Sequence, residues 1–263
     1  MIQSVRLTDS HCHLLSIAKK GGDISQVWTN FLDAGGTWLL DVGIREDDAD
    51  ERFALTTLGP QLRFSCGVHP SETKDLPDWD RLVSRFQNPL CLAVGEIGLD
   101  WYRGRETETQ QLQIFNTQLE IAEQVGRPVI LHVRDAMKEV LTELKRHPRV
   151  RGVFHCFSGT TEDAQEAIKL GFALSFAGNL TYKSSEPLRQ ALKIVPLESL
   201  LFETDAPYLS PMPLRGQRNE PNNVRYTINF ASEILKIDQA ELCDQTTRNF
   251  EKLFAPVLIA EES

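Results

Sequence analysis

A single (β/α)8 TIM barrel, with a metal site at the carboxyl-terminal mouth of its strands, is the fold that this sequence predicts. Three observations favour it. Strand-like runs alternate with amphipathic stretches eight times, 263 residues suit one such barrel, and candidate metal ligands follow five of the runs. We expect residues 1–263 to form one domain, with a disordered tail from about residue 256 to residue 263.

Eight runs rich in apolar and β-branched residues, each bounded by turn residues, predict the strands. In chain order they are 5–9, 37–43, 62–68, 91–97, 128–133, 152–155, 172–176 and 200–204. Helical periodicity is clearest from Glu106 to Val125, where Leu112, Phe115, Leu119 and Ala122 recur every three or four residues. The other predicted helices are 24–34, 46–58, 78–87, 135–146, 161–170, 184–194 and 222–236.

A doubly wound open sheet also alternates strand and helix, and it is the main alternative fold. The placement of the candidate ligands separates the two folds. They follow the first, fourth, fifth, sixth and eighth strands. The ends of these strands meet only around a ring, because an open sheet keeps its first and last strands far apart.

The bulk composition is that of an ordinary folded protein, with 41% hydrophobic residues. The sequence shows neither a basic-then-apolar signal region nor an apolar run long enough to span a membrane. The five cysteines form no C-x-x-C pair, which is typical of reduced thiols. We expect a cytoplasmic monomer that does not associate with membranes.

The formal net charge of −9 argues against a broad basic surface that would bind long duplex DNA nonspecifically. It does not exclude an enzyme that binds one or two phosphates inside a cleft. Such a cleft needs only local positive charge, from metal ions and a few arginines.

The segment Asp9-Ser-His-Cys-His13 is the most informative motif in the chain. Residues i and i+2 of a strand point the same way, so His11 and His13 can both bind one metal ion. Asp9 could orient one of these imidazoles or cap the loop. A histidine pair alone is a weak signal, and its weight comes from four further candidates at the ends of apolar runs: Glu96, His132, His155 and Asp205.

Each of these four residues also has an ordinary structural interpretation. His132 could be a hydrogen-bonded core histidine, His155 beside Cys156 could belong to a structural site, and the two carboxylates could be strand-end caps or ion-pair partners. A barrel would gain nothing by collecting six such polar groups at its mouth, which favours a shared metal site.

Four imidazoles and two carboxylates exceed the needs of one zinc ion and indicate two metals. We assign His11, His13 and Asp205 to one ion and His132 and His155 to the other. Glu96 bridges them, because a carboxylate has two oxygens to share. A metal pair of this kind activates water for hydrolysis, for which Asp205 is the candidate general base.

Positive side chains follow several strands and are candidate phosphate contacts. Arg103 follows the fourth strand, Arg134 the fifth, and Arg218 lies in the 215–221 loop after the eighth. Trp101 and Tyr102 could stack on a base or pack under a neighbouring helix. His69 ends the third strand, and we favour a substrate-contacting role for it over metal ligation.

The sequence resembles the TatD family of metal-dependent deoxyribonucleases from about residue 7 to Phe254. Seven motifs in the family's order carry the resemblance: Asp9-Ser-His-Cys-His13, Gly67-Val-His-Pro70, Gly95-Glu-Ile-Gly-Leu-Asp100, Leu131-His-Val-Arg134, His155-Cys-Phe-Ser-Gly159, Glu203-Thr-Asp-Ala-Pro-Tyr-Leu209 and Arg218-Asn-Glu-Pro221. The chain departs from the common pattern at Leu14, where family members often have an aspartate.

The resemblance implies a barrel hydrolase related to the amidohydrolases, which binds two divalent cations through the six residues named above. It also implies 3′ to 5′ exonuclease activity on DNA, with single strands or 3′ ends as the partner, and abasic-site cleavage in a DNA-repair setting in some members. Many classical amidohydrolases bridge their metals with a carbamylated lysine, whereas the fourth strand here offers Glu96.

Two other functions remain open at this point. An ester hydrolase, such as a D-aminoacyl-tRNA deacylase, would use the same metals on a carbonyl carbon. A metal-binding scaffold without catalysis is the third hypothesis. Four imidazoles favour zinc, manganese, cobalt or iron, and we expect zinc in the purified protein, with magnesium or manganese as alternatives.

Overall fold

In the computed structural model, which describes residues 6–74, 76–102 and 105–258, eight parallel strands form one sheet in chain order. Every strand pairs in parallel with the next along the chain. The strands are β1 (Leu7–Cys12), β2 (Gly36–Asp41), β3 (Leu62–Cys66), β4 (Cys91–Asp100), β5 (Val129–Arg134), β6 (Gly152–Phe154), β7 (Ala173–Phe176) and β8 (Leu200–Phe202). All eight predicted strands are present.

Helices connect these strands and surround them. They are α1 (Leu14–Lys19), α2 (Ile24–Asp33), α3 (Ala49–Leu55), α4 (Trp79–Arg85), α5 (Glu108–Val125), α6 (Met137–Leu144), α7 (Thr161–Lys169), α8 (Glu186–Ile194), α9 (Val224–Leu235) and α10 (Gln239–Leu258). Helices α1 and α10 were not predicted from the sequence. Helix α10 includes residues 256–258 of the tail expected to be disordered, and residues 259–263 lie outside the described part.

The first and last strands meet and nearly close the barrel. Cys12 forms a parallel bridge with Ala206, just beyond β8. On either side of this bridge, the Asp205 amide donates to the His11 carbonyl at 2.9 Å, and the His13 amide donates to the Ala206 carbonyl at 2.8 Å. The predicted (β/α)8 TIM barrel is therefore confirmed, and closure places residues from β1 and from the segment after β8 side by side.

Asp9 strengthens this closure from inside the protein. Its side chain is fully buried and accepts hydrogen bonds from the Thr204 amide at 2.9 Å and the Thr204 hydroxyl at 2.5 Å. It also accepts from the backbone amide of His11 at 3.2 Å. Asp9 therefore links β1 to the segment after β8 and fixes the backbone of His11; among its described hydrogen bonds, none is to an imidazole.

We predict that Asp9→Ala lowers the free energy of unfolding by about 2 to 4 kcal/mol, because it leaves buried N–H groups without acceptors. Urea denaturation measures the change. The matched control is Thr8→Val on the same strand, which removes one buried hydroxyl pair with Thr247 and should cost about 1 kcal/mol or less. Equal losses in the two variants would contradict the proposed role of Asp9.

Helix α10 covers the end of the barrel where the strands begin. Its Phe250 and Phe254 are fully buried and pack against apolar side chains inside the barrel: Leu40, Val42, Leu92, Ala93, Ile130, Val153 and Leu201. Burial of these side chains against α10 seals that end. The opposite end, where the strands finish, remains open. Within the described residues, no helix has the length and apolar character needed to span a membrane.

Candidate metal centre

All six predicted metal-ligand residues meet at the open end of the barrel. His11 lies in β1 and is fully buried, and His13 follows β1 and precedes α1. Glu96 lies in β4, His132 in β5, His155 directly after β6, and Asp205 shortly after β8. A cleft of about 280 Å³ opens above them, lined by His13, Ser16, Ile44, His69, Ser71, Glu96, Asp100, His132, Arg134, His155, Asp205 and Tyr208.

Glu96 divides this cluster into two halves. Its Oε2 atom lies 3.5 Å from His11 Nε2 and 3.6 Å from His13 Nε2. Its Oε1 atom lies 2.9 Å from His132 Nδ1 and 2.8 Å from His155 Nε2. Each carboxylate oxygen thus faces a different pair of imidazoles, which is the arrangement that a bridging carboxylate requires.

Asp205 joins the first half. Its Oδ1 atom lies 3.4 Å from His13 Nε2 and 3.8 Å from His11 Nε2. Its backbone occupies the left-handed region, with φ of 54°, and its amide is held by the His11 carbonyl. The Asp205 side chain is 16% exposed and that of Glu96 only 3%, so Asp205 is the carboxylate of the pair that is more open to water in the cleft.

The donor atoms fit two metal ions. Two imidazole nitrogens bound to one tetrahedral metal lie about 3.3 Å apart, given metal–nitrogen bonds of about 2.0 to 2.1 Å. His11 Nε2 and His13 Nε2 are 3.1 Å apart, and His132 Nδ1 and His155 Nε2 are 3.3 Å apart. Three of these four imidazoles have a partner for their second nitrogen, which leaves the facing nitrogen free to bind.

Those outer partners come from neighbouring strands. His13 Nδ1 donates to the Val42 carbonyl at 2.9 Å, and His155 Nδ1 donates to Glu203 Oε1 at 3.2 Å. His132 Nε2 lies 3.3 Å from Asp100 Oδ2. Such hydrogen bonds orient metal-binding histidines and select their tautomer.

The surrounding imidazoles keep the two central carboxylates ionised. Burial alone would raise the pKa of Glu96, but the nearby His155, His69 and His11 outweigh it and hold this pKa well below its usual range. Burial also opposes charge on Asp205, and its contacts with His13 outweigh that effect and lower its pKa. The centre therefore presents two negative carboxylates at neutral pH.

Three of the ligand imidazoles respond in the opposite sense, whereas burial and the nearby His155 lower the pKa of His11. Burial disfavours their charged forms, yet Asp205 and Glu96 raise the pKa of His13, and Asp100 and Glu96 raise that of His132. The pKa of His155 is raised well above its usual value, against burial, by Glu96 and Glu203. In the absence of a metal ion, protons on these rings balance the carboxylate charge, and a binding metal must displace them.

We predict that metal binding releases protons and becomes tighter as the pH rises from about 6 to about 8. The sign follows from the raised pKa values: below them the rings carry protons that compete with the metal, and above them they do not. Calorimetry in buffers with different ionisation enthalpies measures the released protons. An affinity that does not change across this pH range would contradict the prediction.

His69 approaches the same carboxylate and, with Glu96 and His132, forms one of the groups whose donor atoms could hold a metal ion. Its Nε2 atom is 3.5 Å from Glu96 Oε1, while its Nδ1 atom accepts a hydrogen bond from the Ser71 amide at 3.0 Å. Burial lowers the pKa of His69 to about 3, so the ring is neutral. A neutral ring that accepts at Nδ1 carries its proton on Nε2, which is then a donor toward the cleft.

The predicted substrate-contacting arginines differ in whether they line the cleft. Arg134 lines the cleft, with its guanidinium 3.5 Å from the centre of the Tyr102 ring. Arg218 does not line it, and instead donates to Glu220 Oε1 at 3.1 Å and to the Lys20 carbonyl at 3.4 Å. Arg103 lies outside the described residues.

The two aromatic residues after β4 differ in solvent exposure. Trp101 is buried, and Tyr102 is 62% exposed. Tyr102 is therefore the available stacking surface of the two.

Sequence reasoning missed five residues of the cleft lining, and two of them, Asp100 and Tyr208, have notable contacts. Asp100 ends β4 and contacts His132, and Tyr208 lies three residues after Asp205 with the Lys20 ammonium 4.0 Å from its ring centre. The position of Asp100 at a strand end was the available signal, the same one that identified His132. No strand pattern in the sequence indicates a role for Tyr208.

Comparison with known proteins agrees with this geometry. The sequence profile of the family described as TatD related DNase matches residues 8–255. The chain belongs to the TatD family. A metal-dependent hydrolase of Escherichia coli K12 named YcfH, described as uncharacterized, is 35% identical over 252 residues, which is 94% of this chain and 95% of that protein. The Bacillus subtilis protein YabD, described in the same words, is 36% identical over 194 residues, covering 72% and 75% of the two chains.

A solved structure supports the same assignment. The TatD homologue YJJV of Escherichia coli K12 superimposes with a TM-score of 0.86 at 28% sequence identity, over 95% of this chain and 98% of that one. The protein is therefore a metal-dependent hydrolase of the TatD family, and its six clustered ligand candidates are where such an enzyme would hold its metal.

Proposed function

We propose that this TatD protein hydrolyses DNA phosphodiester bonds from 3′ ends, using two divalent cations. The observation that supports this most is the division of Glu96, whose two oxygens face two separate imidazole pairs. His11, His13 and Asp205 would hold one ion, and His132 and His155 the other, with Glu96 shared. The name of the matching family, TatD related DNase, supports DNA as the substrate.

Bound cations would supply two effects, polarisation of the phosphodiester and activation of a water molecule. The protein residues around the cations supply proton transfer and substrate binding. Asp205 accepts the proton of the attacking water, because its carboxylate is ionised and more exposed to the cleft than Glu96. Glu96, which is almost fully buried, stays in place during the reaction and acts as a fixed negative group.

Arg134 and His69 bind the substrate from two sides of the cleft. In the described part of the chain, Arg134 forms no ion pair, although its charge helps to lower the pKa of the nearby Asp100, and its guanidinium is available to a phosphate oxygen. The Nε2 proton of neutral His69 points toward the same space and donates to a phosphate oxygen. Tyr102 and Tyr208, exposed at the rim, provide surfaces on which bases can stack.

A short single-stranded DNA labelled at its 5′ end tests the proposal. Metal-free protein is reloaded with zinc, manganese or magnesium, and Glu96→Ala and His132→Ala serve as controls. A ladder that shortens from the 3′ end, absent in both controls, supports the exonuclease and identifies the working metal. DNA left intact under every metal contradicts it, and aminoacyl-tRNA becomes the next substrate to test for an ester hydrolase.

We predict that His69→Ala keeps its metal content and lowers kcat/KM on DNA by about 10- to 100-fold, because it removes a donor to the substrate and no ligand. Elemental analysis and initial rates give the two quantities. His147→Ala serves as the control, since His147 lies outside the cleft lining. Loss of metal in His69→Ala would show that His69 is a ligand.

A further inference from the structure

A second cavity lies at the opposite end of the barrel from the metal centre. Its lining includes the residues just before four strands: Pro128, Arg151, Phe172 and Ser199 precede β5, β6, β7 and β8. Helix α10 contributes Asn249, Lys252 and Leu253. The cavity holds about 510 Å³, within the range of roughly 300 to 1,000 Å³ that is usual for small-molecule sites.

The charge of this cavity is opposite to that of the whole chain. Four cationic side chains line it, against two carboxylates: Arg127, Arg149, Arg151 and Lys252 against Glu123 and Glu198. Glu123 already pairs with Arg149 at 2.9 Å. The protein carries a net charge of −9, so this local excess of positive charge favours a negatively charged ligand.

Two of the arginines are held in place without a carboxylate. Arg151 Nη1 donates to the carbonyls of Pro148 at 2.7 Å and Val150 at 2.8 Å. Arg127 Nη2 donates to the Phe86 carbonyl at 2.8 Å, and its buried Nε has no hydrogen-bond partner. Within the described residues, neither guanidinium forms an ion pair. Backbone carbonyls thus fix both groups and leave their charge uncompensated.

Gly171, which lies beside Arg151, leaves room for the position of the Arg151 guanidinium. Gly171 has φ of +86°, a conformation that favours glycine, and a Cβ atom at this position would lie 3.1 Å from Arg151 Nε. The glycine therefore leaves the space that the guanidinium occupies. The rest of the cavity wall is mainly apolar, with Val150, Phe172 and Leu253 beside the charged groups.

We propose that this cavity binds a phosphate monoester with an aromatic body, of the class of nucleoside monophosphates, through Arg127, Arg151 and Lys252. Arginine forks match phosphate oxygens, the dianion compensates the local charge, and the apolar wall receives the planar body. The site is separate from the metal centre, and the proposal does not depend on which bond the enzyme hydrolyses.

Calorimetry on the metal-loaded protein, with AMP as the probe, tests this inference. We expect AMP to bind at least about 10-fold more tightly than inorganic phosphate or adenosine alone, because its phosphate and its nucleoside both contribute to the binding free energy. Arg151→Gln should weaken AMP binding by about 10-fold or more, and Lys252→Gln by about 3- to 10-fold. Lys252 is exposed on α10, so its substitution is not expected to disturb folding.

Two further variants locate the bound AMP. Arg248→Gln removes the same charge from α10 outside the cavity lining, and we expect it to bind AMP like the unmodified protein. Arg134→Gln removes a cation from the metal cleft, so it weakens any AMP bound there and leaves unchanged the binding that Arg151→Gln removes. The proposal is wrong if binding is unchanged in Arg151→Gln and Lys252→Gln, if only Arg134→Gln weakens it, or if adenosine binds as tightly as AMP.

Discussion

Replacing Glu96 by glutamine is expected to lower turnover by at least about 1,000-fold and to remove at least one of the two proposed metal ions. Glutamine has nearly the same shape, but its amide nitrogen cannot bind a metal and its negative charge is gone. The two imidazole pairs that face Oε1 and Oε2 would then no longer share a carboxylate. Elemental analysis and initial rates on DNA measure the two effects.

Glu203→Gln is the matched control for this substitution. Glu203 is also fully buried, and its Oε1 atom accepts from His155 Nδ1 at 3.2 Å and from the Cys156 amide at 2.6 Å. It orients a ligand without touching the space between the imidazole pairs. We therefore expect a smaller loss of about 10- to 100-fold. Equal effects of the two substitutions would contradict a bridging role for Glu96.

The second large effect is expected for Asp205→Asn, which should lower kcat by about 100- to 10,000-fold on DNA. Asparagine keeps an oxygen near His13 and His11, but it cannot accept the proton of the attacking water. The metal ion held by His132 and His155 should remain bound, because neither ring contacts Asp205 among the described ion pairs. Single-turnover rates at saturating metal measure the chemical step.

The acid side of the pH profile is expected to report the imidazoles and not Asp205. Its pKa is lowered, so the carboxylate stays ionised throughout the neutral range. Activity should then fall on the acid side through protonation of His13, His132 and His155, and added metal should shift that fall to lower pH. Near-native turnover of Asp205→Asn with its full metal content would show that another group is the base.

Much of this site could be predicted because of where its residues stand in the sequence. His132, Glu96 and Asp205 each follow or end an apolar run, and in a parallel barrel all such ends open onto one mouth. Their meeting point follows from the fold alone. Glu96 was predicted to bridge two metal ions, and its two carboxylate oxygens do face different imidazole rings.

Other features depend on contacts that no local pattern encodes. The first strand reaches Cys12 rather than ending near residue 9, because Cys12 pairs with both Asp41 of β2 and Ala206 after β8. Helix α10 follows the eighth predicted helix along the chain, and it was not predicted. Its role at the base of the barrel follows from the packing of Phe250 and Phe254 against interior side chains.

The arginines show the limit of reasoning from sequence most clearly. Arg134 and Arg218 were both predicted to follow strands and to contact phosphate, and the loop that contains Arg218 was favoured because it follows the last strand. Only the fold reveals that Arg134 lines the cleft whereas Arg218 pairs with Glu220. Likewise the cationic cavity beneath the barrel combines residues from four connections and α10, which no single motif joins.

Electron paramagnetic resonance of the manganese-loaded protein is the most direct test of the shared-carboxylate centre. We expect two Mn²⁺ ions per chain with an exchange-coupled spectrum, because ions that share a carboxylate interact magnetically. We also expect loss of that coupling in Glu96→Gln and its retention in Glu203→Gln. One ion per chain, or two uncoupled ions in the unmodified protein, would contradict the two-metal centre.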